Sequence, residues 1–192
     1  GEVQAEVAVV GGGVAGLSCA QRLRAAGVSV AVVERDFCGA GASGRSSGFI
    51  TPASELELSA LVASHGREEA RRIWELASSG VEVLRANAAE PSFACEYAVQ
   101  DSLPVANRGL REKSARGEHD ARTELGYPSR LYEGAEVSQV LGTTAYAAAL
   151  RYGGTFSLDP YAYCQSLRRR LEAEGAALYE ESPVTQLRGD GE

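Results

Sequence analysis

The sequence predicts an α/β fold organised on a parallel sheet, and three features predict it. Residues 7–10 form an unbroken apolar run, and the glycine turn Gly11-Gly12-Gly13-Val14-Ala15-Gly16 follows at once. Apolar residues then recur at helical spacing, and a second β-branched run over 28–33 closes the unit at Glu34. Strand segments that are apolar throughout, rather than alternating, belong in sheets covered on both faces. Strand, glycine turn, helix and strand therefore fit within about thirty residues, the size of a βαβ unit.

Each element has its own signal. Leu17, Ala20, Leu23 and Ala26 make the apolar face of the first helix, and Gly27 supplies its stop. Residues 39–48, GAGASGRSSG, form a loop of small side chains. From Ser54 the pattern is helical, and Ala70, Ile73, Trp74, Ala77, Val81 and Leu84 trace one stripe of a long helix over about 68–88. Residues 92–99, 127–132 and 145–151 read as strands, 134–141 as a short helix, and the polar stretch 107–125 as a solvated helix or arm. Leu158-Asp159-Pro160 opens another helix, with Asp159 as cap and Pro160 in the first turn, running past Leu167 and Leu171 to Gly175. Strands over 177–179 and 184–187 complete the pattern, with the first βαβ at the centre of the sheet.

Residues 1–50 and 155–192 are thus expected to form Rossmann-type nucleotide-binding parts, and 51–154 a helical, substrate-side insertion beginning a second layer. Gly189-Asp190-Gly191 is a hairpin-turn signal followed only by Glu192, and the chain holds no methionine. Both features are expected of an N-terminal portion of a longer polypeptide.

Composition narrows the partners. The chain has 192 residues and a net charge of −7, from 26 acidic against 19 basic side chains. That balance opposes a nucleic-acid or anionic-membrane surface as the main partner. The four cysteines form no CxxC pair and the two histidines have no companion at ligand spacing, so no metal site is expected. Dispersed cysteines suit a reducing compartment. No apolar run reaches the roughly 18 residues of a membrane span, and no basic-then-apolar leader opens the chain, so a cytoplasmic location is expected.

The glycines of GxGxxG have separate tasks. Gly11 permits the tight turn out of the strand, Gly13 lets a pyrophosphate approach, and Gly16 lets the helix pack on the sheet. Val14 and Ala15, with Gly16, bring N–H groups to the helix N-terminus, where the dipole favours an anion. Glu34, 23 positions after Gly11, is placed to accept from ribose hydroxyls and would repel a 2′-phosphate, which disfavours NADP. An exposed strand-end carboxylate is the plain alternative for it. The glycine motif alone does not separate NAD from FAD. The 39–48 loop does: Ala42, Ser43, Ser46, Ser47 and Gly48 can lay N–H groups and hydroxyls along a long cofactor, and Arg45 adds a cation. Arg35 is placed near an adenine or in solvent.

Three segments also carry a resemblance: VAVVGGGVAGLSCAQRLRAAGVSVAVVER, GASGRSSGFI, and GGTFSLDPYAYCQSLRRRLEAEGAALYEESPVTQL. In order and spacing they resemble FAD-dependent oxidoreductases of the D-amino-acid oxidase type, which include glycine and sarcosine oxidases and γ-glutamylputrescine-oxidase-like enzymes. The resemblance implies FAD as cofactor, with Val184 reaching the adenine through its backbone. It also implies two-electron oxidation of a C–N bond in a small amine or amino acid, hydrolysis of the imine, and oxygen as electron acceptor. The family's C-terminal half carries much of the substrate sheet, so the resemblance assigns no catalytic residue here and implies that a further half, or a second chain, completes the enzyme. Two other readings stand beside it: a non-catalytic nucleotide-binding module, and a NAD-dependent dehydrogenase that leaves the 39–48 loop unexplained. Cys38 near that loop is read as packing rather than flavin attachment, Trp74 as a core anchor, and Arg168-Arg169-Arg170 as a solvated helix face. Tyr146, Tyr152, Tyr161 and Tyr163 are read mainly as core or interface residues.

Overall fold

The structure, a computed structural model, describes residues 2–52 and 56–189. Two compact units divide it: one of residues 1–48, 87–97 and 158–192, the other of 49–86 and 98–157.

The first unit holds a parallel sheet of β1 (Val7–Val10), β2 (Val30–Val33) and β8 (Ala177–Tyr179), in the order β1-β2-β8. Register runs Val7 with Val30 and Ala31 with Ala177. The mixed α/β architecture with a parallel sheet is the one the sequence predicts, but β2, not the whole βαβ, takes the middle. β1 is an outer strand among the described residues, so its exposure alternates and Val10 is 58% exposed. Its apolar run therefore does not signal cover on both faces.

Helix α1 (Val14–Ala25) and helix α6 (Pro160–Ala173) pack in this unit, with Leu17 and Ala20 of one and Tyr163, Leu167 and Leu171 of the other buried. Each fully buried leucine contributes about 1.5–3 kcal/mol of transfer free energy. Asp159 caps α6 as expected, accepting from Ala162 N–H at 2.9 Å, with Pro160 in the first turn. Asn87 is buried and ties the unit together: its Nδ2 donates to Tyr163 Oη (2.9 Å) and its Oδ1 accepts from Gln21 (3.1 Å).

Three expectations for this unit change. Residues 184–187 form no strand: Pro183 has no N–H to give a ladder, and the chain continues as coil. The arginine triplet is a solvated face only at Arg169, which is exposed. Arg168 pairs with Glu172 and Glu180, and Arg170 pairs with Glu90 (2.9 Å) and Glu174 while lying over the Phe93 ring. Of the expected strand 92–99, residues 92–97 form no strand, and β4 begins at Ala98. The hairpin signal at Asp190-Gly191 and the expected helical onset at Ser54 lie outside the described residues.

The second unit is organised on one long strand, β7 (Ala148–Ser157). Antiparallel to it lie β3 (Phe49–Ile50), β4 (Ala98–Ser102), β5 (Val105–Ala106) and β6 (Arg130–Glu133). The expected strand 145–151 continues to Ser157, because Gly153-Gly154 makes a bulge instead of a stop. Thr155 faces Gln100 while Tyr152 faces Ser102, so two residues of β7 oppose one of β4, and Gly154 takes φ +80°.

Helices α2 (Leu58–His65), α3 (Arg67–Ala88) and α4 (Leu110–Leu125) supply a core of Leu58, Leu61, Ala70, Trp74, Ala121 and Leu125. Helix α5 (Ala135–Leu141) adds Val137 against Tyr132 and Ala149. The stretch expected as a solvated arm is α4, and it has a buried face. Glu118 and Arg122, four residues apart, form an ion pair (2.8 Å) with both side chains only 4% exposed. No described helix is long and apolar enough to cross a membrane.

Candidate cofactor site

The glycine turn is shaped by contacts that leave no room for side chains. Gly11 adopts φ +109° as its N–H donates to Val33 O (2.9 Å). A Cβ on Gly16 would lie 2.0 Å from Gly11 O, so α1 packs against the turn only because residue 16 is glycine. A Cβ on Gly13 would approach Ser43 Oγ to 3.0 Å. The N-cap of α1 is Gly13, which has no side chain to satisfy the first turn, and Val14 N–H instead donates to Ser43 Oγ (3.0 Å). In such a motif the remaining first-turn donors are available to an anion.

Glu34 ends β2 beside this turn. Its Oε2 accepts from Gly12 N–H (2.6 Å) and its Oε1 from Asp36 N–H (3.0 Å). Burial alone would raise its pKa, but the backbone N–H groups of Asp36 and Gly12, with the Arg35 charge, outweigh it and hold the carboxyl below its ordinary value. The group is therefore an anion and a ready acceptor at neutral pH.

A cavity of about 370 Å³ opens over these residues. Gly11, Gly13, Glu34, Arg35, Ala42, Ser43 and Val184 line it, joined by Val10, Val33, Asp36, Gly41, Ser182 and Pro183. The first seven are candidates from the sequence, brought together from four separate segments. The other six are not sequence candidates. Asp36 and Gly41 adjoin known motif positions and were within reach of sequence reasoning; Ser182 and Pro183 arrive only because β8 docks on β2, where Ser182 N–H donates to Glu34 O (2.8 Å).

The rest of the loop lies elsewhere. Arg45 closes a short 3-10 turn (Ser43–Arg45) and, with Ser46 and Ser47, does not line the cavity. Gly48 is held against the start of α6: Leu158 N–H donates to its carbonyl (3.0 Å), and a Cβ there would meet Leu158 O at 1.9 Å. Val14, Ala15 and Gly16 stand behind the turn as the first residues of α1.

A clamp holds the segment between β2 and the loop. Cys38 N–H donates to Glu180 Oε1 (2.7 Å), and Gln165 Nε2 donates to Cys38 O (2.7 Å). The next N–H, of Gly39, donates to Gly12 O (2.9 Å), so the clamp bears directly on the glycine turn. Burial and the Glu180 carboxylate push the Cys38 thiol up to about 12, which makes it a packed, protonated group and a poor nucleophile.

The model of the FAD dependent oxidoreductase family (DAO) matches residues 6–192. The chain belongs to this family. Gamma-glutamylputrescine oxidoreductase of Escherichia coli is 26% identical over 189 residues, covering 96% of this chain and 43% of that protein. The probable oxidoreductase OrdL of Haemophilus influenzae is 26% identical over 184 residues, covering 95% of this chain and 43% of that protein. Among solved structures, glycine oxidase from Geobacillus kaustophilus superposes with a TM-score of 0.81 at 21% identity, over 97% of this chain and 49% of that one. The chain thus spans less than half the length of these relatives. FAD is the cofactor of this family.

Proposed function

We propose that residues 1–50 and 155–192 hold FAD in an enzyme that oxidises a C–N bond of a small amine or amino acid, with oxygen as electron acceptor, and that 51–154 begin its substrate side. One observation carries the reading. The anionic Glu34, the glycine turn and Val184 line one cavity, which offers an acceptor to a ribose, bare backbone to a pyrophosphate and a backbone edge to an adenine. The residues fit the group, since the backbone around Gly13 is bare and the first turn of α1 offers donors to a diphosphate.

When bound, FAD supplies the acceptor for the hydride leaving the substrate carbon. The chain's own residues bind and orient it. Gly11, Gly13 and Gly16 shape the turn that receives the pyrophosphate, Val14 and Ala15 open the helix whose N-terminus favours it, and Glu34 accepts from the ribose hydroxyls. Arg35 and the Val184 backbone flank the adenine. Ala42, Ser43, Arg45, Ser46, Ser47 and Gly48 follow the cofactor toward its flavin end. The amine or amino-acid substrate is supported by relatives whose names specify such compounds, a γ-glutamylated putrescine and glycine among them. Unpaired cysteines support a reducing, cytoplasmic setting.

Calorimetric titration of the chain with FAD, NAD and NADP tests the reading. FAD is expected to bind tightest, and a preference for NAD would end the flavin assignment. A second reading is a binding module that needs another chain for turnover. Amine oxidation by the 192-residue chain alone would exclude it.

A further inference from the structure

The second unit contains a cavity of about 320 Å³ whose lining includes Trp74 and Ser78 of α3, Arg122 of α4, Tyr127, and the Gly153-Gly154 bulge of β7. Its size is in the range of small-molecule sites. Three observations set it apart from a packing gap. First, Arg122 is only 3% exposed, yet Nε is the only guanidinium nitrogen of Arg122 that meets a hydrogen-bond acceptor among the described residues, namely Glu118 Oε1. The two Nη atoms donate to none of the described residues, so a carboxylate entering the cavity can accept from both.

Second, the fork is held in place. Its centre lies 4.8 Å from the Trp74 ring and 3.8 Å from the Tyr152 ring, and Glu118 is itself fixed by Ser59 N–H (2.8 Å). A guanidinium fixed in this way matches a carboxylate with little ordering left to do. Third, the strand presents bare backbone to the cavity. Gly154 takes φ +80°, and consecutive glycines inside a strand mark a place where another group comes close to the chain.

The charge balance decides the kind of ligand. Glu118 already neutralises Arg122, and Glu82 at the rim is paired with Arg85, so donor geometry rather than net field does the selecting. The walls of Trp74 and Tyr127 suit an apolar body. We propose that this cavity binds a small monocarboxylate with an apolar body, its carboxylate on the Nη groups of Arg122 and its body against Trp74 and Tyr127. Every lining residue belongs to the second unit, so the inference does not rest on the FAD reading.

Trp74 is the chain's single tryptophan, so its emission reports on this cavity directly. The 192-residue chain is titrated with cyclohexanecarboxylate, its carboxamide and cyclohexylamine. The carboxylate is expected to shift the emission saturably, with the amide about tenfold weaker and the amine without effect. Ser78→Phe fills the cavity from α3 without touching the ion pair and is expected to abolish the response. Arg122→Lys keeps the charge but loses the fork, and is expected to weaken carboxylate binding about tenfold. Circular dichroism establishes that each variant is folded. No saturable response to the carboxylate, an amide that binds as tightly, or unchanged binding by a folded Ser78→Phe chain would each overturn the proposal. Should Ser78→Phe fail to fold, the wild-type ratio of carboxylate to amide decides alone.

Discussion

The Glu34 carboxylate accepts backbone N–H bonds from Gly12 and Asp36 while lining the candidate cofactor cavity, so one side chain both sets the turn and faces that cavity. Glu34→Gln keeps the shape and removes the charge. Hydrogen bonds to a charged acceptor are worth about 1.5–3 kcal/mol, so FAD affinity is expected to fall at least about tenfold in calorimetric titration. The same residue links stability to pH. Its folded pKa lies below the ordinary 4.5, so its contribution is complete above that value and is lost as pH falls through the folded one. Melting curves of wild type and Glu34→Gln should therefore converge on acidification, and a gap that persists in acid would contradict the assignment. The thiols make a separate test. Burial with the Glu180 charge raises Cys38 to about 12, burial raises Cys164 to about 11, and Cys95 is also raised. Exposed Cys19 should be the thiol that reacts first with a thiol reagent at mildly alkaline pH, the buried ones following only on unfolding.

Helix α4 shows how a polar pattern can conceal a core. Glu118 and Arg122 sit at helical spacing within a charged stretch, which is how a solvated face also looks. Only their surroundings, Ser59 N–H on one and the Trp74 and Tyr152 rings on the other, make them interior residues. Arg122→Met strands a buried carboxylate and is expected to cost about 3–5 kcal/mol in urea unfolding, with Glu118→Gln in the same chain recovering most of the loss. Little or no cost for the single change would mean the pair is solvated after all. Other elements were legible because their signals are local. Asp159-Pro160 starts α6, and the stripe from Ala70 to Leu84 gives α3, without help from distant residues. The extent of β7 was not legible. A glycine pair looks alike as a strand end and as a bulge until β4 is known to lie opposite.

At the scale of the molecule, a ligand that binds only the folded chain stabilises it by mass action. Free FAD at about one hundred times its Kd should add about 2.7 kcal/mol, read as a rise in Tm that NAD at equal concentration does not reproduce. The motif half of the cofactor site was readable because a βαβ unit gathers its own residues within about thirty positions. Ser182 and Pro183 escaped reading because their place depends on β8 reaching β2 across more than 140 residues of chain. The grip of Glu180 and Gln165 on Cys38 has the same long span, 142 and 127 positions. A nascent polypeptide leaving the ribosome thus synthesises its phosphate turn first and finishes the brace for it last. If the turn holds FAD as proposed, capture is expected to wait until residue 180 has emerged, and chains ending earlier are expected to carry the full glycine signature yet hold FAD poorly.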